Sequence, residues 1–405
     1  MTCRIDELMA KESQRQQTTI NLIASENYSS PAVRSAMSST LADKYAEGYP
    51  GKRYYTGCAV ADEVEQCAID LCKELFHTEH ANVQPHAGSQ ANMTAYFAVL
   101  KPSDTIMGMS LAEGGHLTHG HGVNFSGSIY KSVPYTVNRE TELLDYDEIE
   151  RLAHEHKPKI IVAGASAYSR TIDFARFADI AKNCGAYLMA DIAHIAGLVA
   201  VGLHPSPVSH ADLITSTTHK TLRGPRGAII LAKPELAERV DKAIIPGTQG
   251  GPFLHAIAAK ALCFQEALQP SFKEYQQRVI DNARTMADYF SDHGYRIVSG
   301  GTDNHLFILD LTSKNLTGRQ ADRALELAGI TVSRSCIPFD TQKPWVTSGI
   351  RIGTPAISTR GMGHHEALEI AQLVDEVLSH HEDASRIELV KIKVLSLCKT
   401  FPIEV

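Results

Sequence analysis

LITSTTHKTLRGPRG, residues 213–227, begins as a buried strand and ends in a loop with two arginines. Leucine, isoleucine and threonine at 213–217 suit a pleated, covered strand. Lys220 follows, next to His219 and within a row of hydroxyls: Thr215, Ser216, Thr217, Thr218 and Thr221. A lysine normally keeps its ammonium in water, so one at the end of a core strand needs a partner of its own. Apolar strands that run straight into reactive residues fit a parallel α/β sheet, where ligands gather at the carboxyl ends of strands.

The flanking sequence repeats the pattern. DTIMGM (104–109), KIIVAGAS (159–166), AYLMAD (186–191) and GAIILA (227–232) are further strand candidates. DYDEIERLAHEHK (145–157) and DFARFADIAKNCG (173–185) are helices between them, the second stopping at Gly185. A helix is also expected over 60–76, with Val60, Val64, Ala68, Leu71 and Leu75 on one face. Alternating helices and continuous apolar strands imply a mostly parallel central sheet with helices on both faces. Near residue 270 the character changes. A long helix with Phe272, Tyr275, Val279, Ala283, Met286 and Phe290 at helical spacing precedes YRIVSG, HLFILDL, a helix at 318–328, GIRIGT and terminal helices at 364–380 and 384–398. The expected organisation is an N-terminal helical arm over 1–20, a large α/β domain over 21–270 and a smaller C-terminal α+β domain over 271–405.

Composition narrows the function. Apolar residues make up 43% and charged residues 21% of 405, so a sizeable core is expected and disorder is not. A net charge of −7 argues against nucleic acid or a membrane surface as partner. The N-terminus is polar, with no apolar signal segment, and no run is long enough to span a membrane. The eight cysteines are scattered without a CxxC pair, which fits reduced thiols and a cytoplasmic protein. His116, His119 and His121 in GGHLTHGHG have no Cys, Asp or Glu at metal-ligand spacing, so no metal is expected; an imidazole stacked on a flat ring is the better reading.

Asp191 closes AYLMAD, His194 follows three residues later, and Lys220 ends its own strand. A lysine and a carboxylate at neighbouring strand ends suit pyridoxal phosphate, which needs a Schiff-base lysine and an acid beside its pyridine nitrogen. A structural ion pair at the sheet edge fits the two residues equally well. Gly88, Ser89 and Gln90 lead into a helix and form an anion cradle, or Ser89 is a plain helix cap. Gly250 and Gly251 in GTQGGP allow close backbone approach. Arg351, alternating with Ile350 and Ile352, has a planar fork suited to a carboxylate, from a substrate or from an internal acid. YAEGYPGKRYYTG (45–57) is too aromatic for a solvated loop and too polar for core. It lacks P-loop spacing, and no G-x-G-x-x-G follows a strand, which argues against a nicotinamide enzyme.

Taken together, NLIASENYSSP, KYAEGYPGKRYY, VQPHAGSQAN, GGHLTHG, DIAHIAGL, TSTTHKTLRGPRG, GTQGGP and SGIRIGTPA closely resemble the serine hydroxymethyltransferase family. They span about residue 20 to residue 360 in family order. The resemblance implies the pyridoxal-phosphate-dependent transferase fold (fold type I). It also implies reversible transfer of the serine hydroxymethyl carbon to tetrahydrofolate, giving glycine and methylene-tetrahydrofolate through a cofactor aldimine. Lys220 would carry that aldimine, Asp191 would pair with the pyridine nitrogen, and His116 would stack on the ring. His194 would bond the ring's oxygen side. Gly88, Ser89 and Gln90 would hold the phosphate with Gly251 of a neighbouring subunit, and Ser166, Thr217 and His219 would complete the cofactor set. Arg351 and Ser25 would bind the substrate carboxylate, with Leu111, Gly115, Tyr54, Arg226 and Ser335 also on the substrate side. Glu47, Tyr45 and Tyr55 would enter from the partner chain, Glu47 as the proton-transfer group, so a homodimer with shared sites is implied and a tetramer is left open.

One departure stands out. The family usually has asparagines where this chain has Ser333 and Ser335, the second against the pterin. Serine is shorter and lacks the amide's paired donor and acceptor, so weaker folate contact is expected. The alternatives are a folate-independent aldolase for threonine-like β-hydroxy amino acids and a non-catalytic binding protein. The Glu47–Tyr54–Tyr55 loop argues against the first, and retention of Lys220, Asp191, His116 and Arg351 against the second.

Overall fold

The computed structural model describes residues 4–404; residues 1–3 of the expected arm and Val405 lie outside the described residues. The chain clusters into two compact units: Ser29–Gln276, and the segment up to Tyr28 together with that from Gln277 onward.

The Ser29–Gln276 unit is built on a seven-stranded sheet: β1 (His80–Asn82), β2 (Thr105–Met109), β3 (Lys131–Tyr135), β4 (Ile160–Ala163), β5 (Tyr187–Asp191), β6 (Leu213–Thr217) and β7 (Ala228–Ala232). Their spatial order is β1-β7-β6-β5-β4-β2-β3. All neighbours from β6 to β3 pair parallel, whereas β7 runs antiparallel to both β6 and β1. β4, β6 and β7 are buried along their whole length, as a sheet covered on both faces requires. Each Val, Leu or Ile taken out of water there contributes about 1.5–3 kcal/mol.

Two strands escape the sequence reading. β1 is only three residues long, and β3 (KSVPY) is a largely exposed edge strand carrying Pro134. Proline offers no N–H to a ladder and is confined to edges, so the segment looks like a loop. The lysine's placement also differs. β6 ends at Thr217, so Lys220 lies three residues past the strand and does not close it. Because β7 reverses direction, residues 218–227 form a hairpin at the carboxyl end of β6. Thr217 pairs with Ala228, and the Thr218 N–H donates to the Gly227 carbonyl at 3.1 Å.

The covering helices follow their end signals. Asp145 caps Tyr146–His156 by accepting from the Glu148 N–H, and Asp173 caps Phe174–Cys184 by accepting from the Arg176 N–H. Gly185 ends the latter at φ 73°, a left-handed conformation that glycine adopts without strain. Helix Ala59–Phe76 corrects the expected face: it buries Ala61, Glu65, Ala68, Cys72, Leu75 and Phe76, while Val60 is exposed. A buried glutamate hides this stripe in the sequence. Glu65 is held by the Arg53 guanidinium at 2.6 Å and by Gln84 at 2.7 Å.

The other unit carries an antiparallel sheet of β8 (Arg296–Ile297), β9 (Leu306–Asp310), β10 (Ser333–Ser335) and β11 (Gly349–Gly353), in the order β8-β9-β11-β10. Its core joins Phe307, Leu309, Ile350 and Ile352 to Met286 and Phe290 of helix Pro270–Asp292 and to the terminal helices His364–Ser379 and Ala384–Thr400. Ile20 and Leu22 belong to the same core, and Ile20–Asn21 pairs parallel with Ile330–Thr331. The N-terminal helix Arg4–Thr18 buries no residue; Gln17 is tied to Ile403 by two hydrogen bonds of 2.8 and 3.0 Å. Among the described residues, no helix is long and apolar enough to cross a membrane.

Candidate active site

The chemistry-bearing segments of the Ser29–Gln276 unit leave one end of its sheet. Helix Gly88–Val99 follows β1, the histidine loop follows β2, Ser166 follows β4, Asp191 ends β5 with His194 three residues beyond it, and the Lys220 hairpin follows β6. This is the carboxyl end, where open α/β sheets place ligands.

Asp191 is the centre of a buried polar network. One carboxylate oxygen, Oδ2, lies 3.0 Å from His119 Nε2 and accepts from Asn92 Nδ2 at 2.9 Å; the other, Oδ1, accepts from the Ala193 N–H at 3.1 Å. Asn92 also donates to Thr118 Oγ1 at 2.7 Å and accepts from Thr215 Oγ1 at 2.6 Å. His116 Nδ1 sits 2.7 Å from the same Thr118 hydroxyl. Burial alone would raise the Asp191 pKa, but the His119 hydrogen bond and charge, His116 and Asn92 outweigh it and hold the carboxyl well below the usual range. Asp191 is thus a fixed anion. Asn92, His119, Thr118 and Thr215 belong to this network and are missing from the expected site set. The available signal was an asparagine in the alanine-rich helix that starts at Gly88.

His116 is the opposite case. Burial lowers its pKa to about 4, with Asp191 opposing and His119 and Lys220 adding to the fall. Burial, Arg226 and Lys220 bring His219 down to about 3. Both rings are therefore neutral near pH 7. An unfolded histidine titrates near 6.5, so the unfolded chain binds more protons than the folded one between about pH 6.5 and 4. Stability then rises with pH across that window and is lost as pH falls through it. The His116 share amounts to about 3 kcal/mol. Urea unfolding of the cofactor-free protein at pH 7, 5.5 and 4.5 should show this slope. His116→Gln should flatten it, leaving the His219 share, and an unchanged slope would contradict the assignment.

The anion cradle is open. Helix Gly88–Val99 is capped by Ala87, which gives no side-chain cap bond, and Ser89 lies exposed in the first turn and not at the cap. The first N–H groups of this helix thus face a position suited to phosphate. Gly88 is required there, because a Cβ would come within 2.7 Å of Thr217 Cγ2. Gln90 braces the entry: its Oε1 accepts from the His86 N–H at 2.6 Å, and its Nε2 donates to Gln249 at 2.5 Å. His219 Nδ1 is buried with no hydrogen-bond partner among the described residues, a polar atom suited to meeting a ligand. Ser166 is fixed by its N–H donating to Gly114 at 2.7 Å, and Gly115 could not carry a Cβ, which would reach 2.0 Å from the Met109 carbonyl. His194 is buried, with its carbonyl accepting from Thr221 Oγ1 at 3.0 Å, and Thr217 Oγ1 donates to Ala193 at 3.3 Å. Leu111 and Arg226 are exposed on the loops beside this network. A cradle for an anion, a buried anion and a lysine on a tight hairpin fit the phosphate, ring nitrogen and aldehyde of pyridoxal phosphate.

The aromatic loop forms its own cluster. Pro50 and Gly51 (φ 73°) turn the hairpin between Gly48–Tyr49 and Lys52–Arg53. Arg53 pins it from within, bonding Asp62 at 2.8 Å, Glu65 at 2.6 Å and the Ala46 and Gly48 carbonyls at 3.0 and 2.9 Å. Tyr45, Tyr54 and Tyr55 stay exposed, Tyr45 edge-on to Tyr55 at 5.7 Å. A Cβ at Gly250 would lie 3.2 Å from Glu47 Oε1, and one at Gly251 would lie 3.3 Å from the Tyr45 ring. The four residues that the resemblance assigns to a neighbouring subunit's site, Tyr45, Glu47, Tyr55 and Gly251, are thus neighbours within one chain.

Ser25, Ser335 and Arg351 belong to the second unit. Arg351 is central in its sheet, opposite Ser333 on β10 and Ile308 on β9, and burial lowers its pKa to about 10, still charged at neutral pH. The segment before Ser25 runs beside β11, with the Gly353 N–H donating to the Leu22 carbonyl at 2.8 Å. Ser335 is buried and donates to the Cys336 carbonyl at 3.1 Å.

A family model described as serine hydroxymethyltransferase matches residues 2–374, a span that contains every site residue above. Serine hydroxymethyltransferase 1 of Pseudomonas fluorescens (strain Pf0-1) is 57% identical over 399 residues, covering 98% of this chain and 97% of that protein. With the match running through each strand end and loop of the site, this chain belongs to the serine hydroxymethyltransferase family.

Proposed function

We propose that the protein reversibly transfers the hydroxymethyl carbon of serine to tetrahydrofolate, giving glycine and methylene-tetrahydrofolate, with pyridoxal 5′-phosphate as cofactor. The observation that carries this reading is the juxtaposition, at one sheet end of a member of this family, of an open helix N-terminus, the ionised Asp191 network and the Lys220 hairpin. When bound, the cofactor's protonated ring draws electrons from the substrate's α-carbon.

The chain's own groups do the rest. The first turn at Gly88–Gln90 and the Ser89 hydroxyl hold the phosphate. Asp191, kept ionised by His119 and Asn92, holds a proton on the ring nitrogen. Neutral His116 offers a flat face to the ring. Lys220 supplies the amine that anchors the cofactor. Arg351, with Ser25, grips the amino-acid carboxylate through two parallel hydrogen bonds. Glu47 moves the proton at the hydroxymethyl oxygen. The clustering of Glu47, Tyr45 and Tyr55 with Gly251 supports a homodimer in which each chain completes its partner's site. The exposed Ile5, Leu8 and Met9 of the N-terminal helix offer further contact area. A cytoplasmic location completes the proposal.

Reduction of the cofactor-loaded protein with borohydride, followed by peptide mass spectrometry, tests the site. The pyridoxyl mass is expected on Lys220, and its appearance on another lysine would refute the assignment. At the folate end, Ser335→Asn restores an amide donor and acceptor, so KM for tetrahydrofolate should fall about two- to tenfold, the range of one hydrogen bond. An unchanged KM would remove Ser335 from the pterin contact.

A further inference from the structure

Lys260 is 1% exposed and takes no part in the chemistry above. It lies on helix Leu254–Ala267 among Ala256, Ala259, Cys263 and Phe264. All three of its ammonium donors are used: Nζ bonds the carbonyls of Val83 at 2.6 Å, Ala228 at 2.9 Å and Pro85 at 3.0 Å. β1 pairs with β7 only as far as Asn82. Beyond it the ladder stops: the Pro85 carbonyl accepts from the Ala228 N–H at 3.1 Å and the Gln84 carbonyl from Gln249 Nε2 at 3.4 Å, while the carbonyls of Val83 and Pro85 also turn to Lys260 inside the core. Three residues after Pro85, Gly88 opens the helix of the phosphate cradle.

The other end of the contact leads to Lys220. Ala228 is the first residue of β7, pairs with Thr217 and directly follows the Lys220 hairpin. A Cβ on Gly227 would come within 2.6 Å of Lys260 Cε, so the hairpin's last residue is seated against the lysine stem. Filling this space needs no charge: a methionine has similar volume and avoids the cost of burying an ammonium. What lysine adds is three directed, charge-assisted bonds joining two segments.

We propose that Lys260 is a positioning residue that sets the separation between the Gly88–Ser89 cradle and the Lys220 hairpin, so that one rigid ligand reaches both. This rests on the reading of those segments as the two anchors of the cofactor. A ligand held at two points gains from both only when their spacing matches it. Loosening Lys260 therefore spares ligands that touch one anchor and weakens the ligand that spans both.

The test compares native protein, Lys260→Met and Gly227→Ala for equilibrium binding of three probes: inorganic phosphate, pyridoxal and pyridoxal 5′-phosphate. Affinity for pyridoxal 5′-phosphate should fall about tenfold or more, while the two single-anchor probes change less than about twofold. Unchanged binding of pyridoxal 5′-phosphate, or equal weakening of all three probes, would overturn the proposal, the second outcome marking general loosening of the fold. If Lys260→Met does not fold, Gly227→Ala decides, because it presses on the stem and removes no donor. Native affinity for pyridoxal 5′-phosphate that is indifferent to both Ser89→Ala and Lys220→Ala would instead overturn the underlying assignment of the anchors.

Discussion

Lys220→Ala is expected to bind pyridoxal 5′-phosphate, more weakly than the native chain, and to lose about 10³-fold or more of kcat with serine and tetrahydrofolate. The cradle and the Asp191 network are held by side chains and N–H groups other than Lys220, so two of the three holds on the cofactor survive. The amine that anchors and releases the cofactor does not. The hairpin around it is stiff. Arg223 is left-handed at φ 63° with its guanidinium over Tyr275 at 4.7 Å, Thr218 Oγ1 donates to Pro225 at 2.6 Å, and a Cβ on Gly224 would approach Cys263 Sγ to 2.6 Å. Steady-state kinetics beside a cofactor titration checks this, and activity within tenfold of native would remove Lys220 from its role.

Asp191→Asn should retain cofactor and lose about 10²–10³-fold of kcat, the scale for removing one preorganised electrostatic partner in a dry site. The amide is close to isosteric but carries no charge to hold a proton on the ring nitrogen. It also disturbs the network, because a single amide oxygen cannot replace carboxylate oxygens that together meet His119, Asn92 and the Ala193 N–H. The loss should fall mainly on kcat, with KM for serine changing far less. Equal losses through KM alone would place Asp191 in substrate binding.

Much of this was readable from the chain. β2, β4, β5 and β6 are apolar runs bounded by loops, and periodicity marks them well. Asp191 and Lys220 stood out because charged groups at core strand ends are costly without partners. The direction of β7 was not readable, since an apolar strand looks the same either way round. That direction makes the Lys220 segment a hairpin. β3 was masked by Pro134 and its exposed face, and the buried stripe of helix Ala59–Phe76 by Glu65, whose partner Arg53 is distant from the helix pattern. Asn92 is invisible to any periodicity argument: its importance comes from three partners on separate elements that only the fold assembles. Arg53 and Lys260 act likewise through backbone carbonyls, which every residue possesses and no sequence pattern marks.

Folate-dependent transfer of the serine side-chain carbon is directly measurable. Cofactor-loaded protein should be given serine labelled with ¹³C at the hydroxymethyl carbon, with and without tetrahydrofolate, and followed by NMR. Glycine formation should be matched one for one by labelled methylene-tetrahydrofolate, with serine consumption collapsing when folate is omitted. Serine cleavage at the same rate without folate, or label that never reaches the folate, would contradict it.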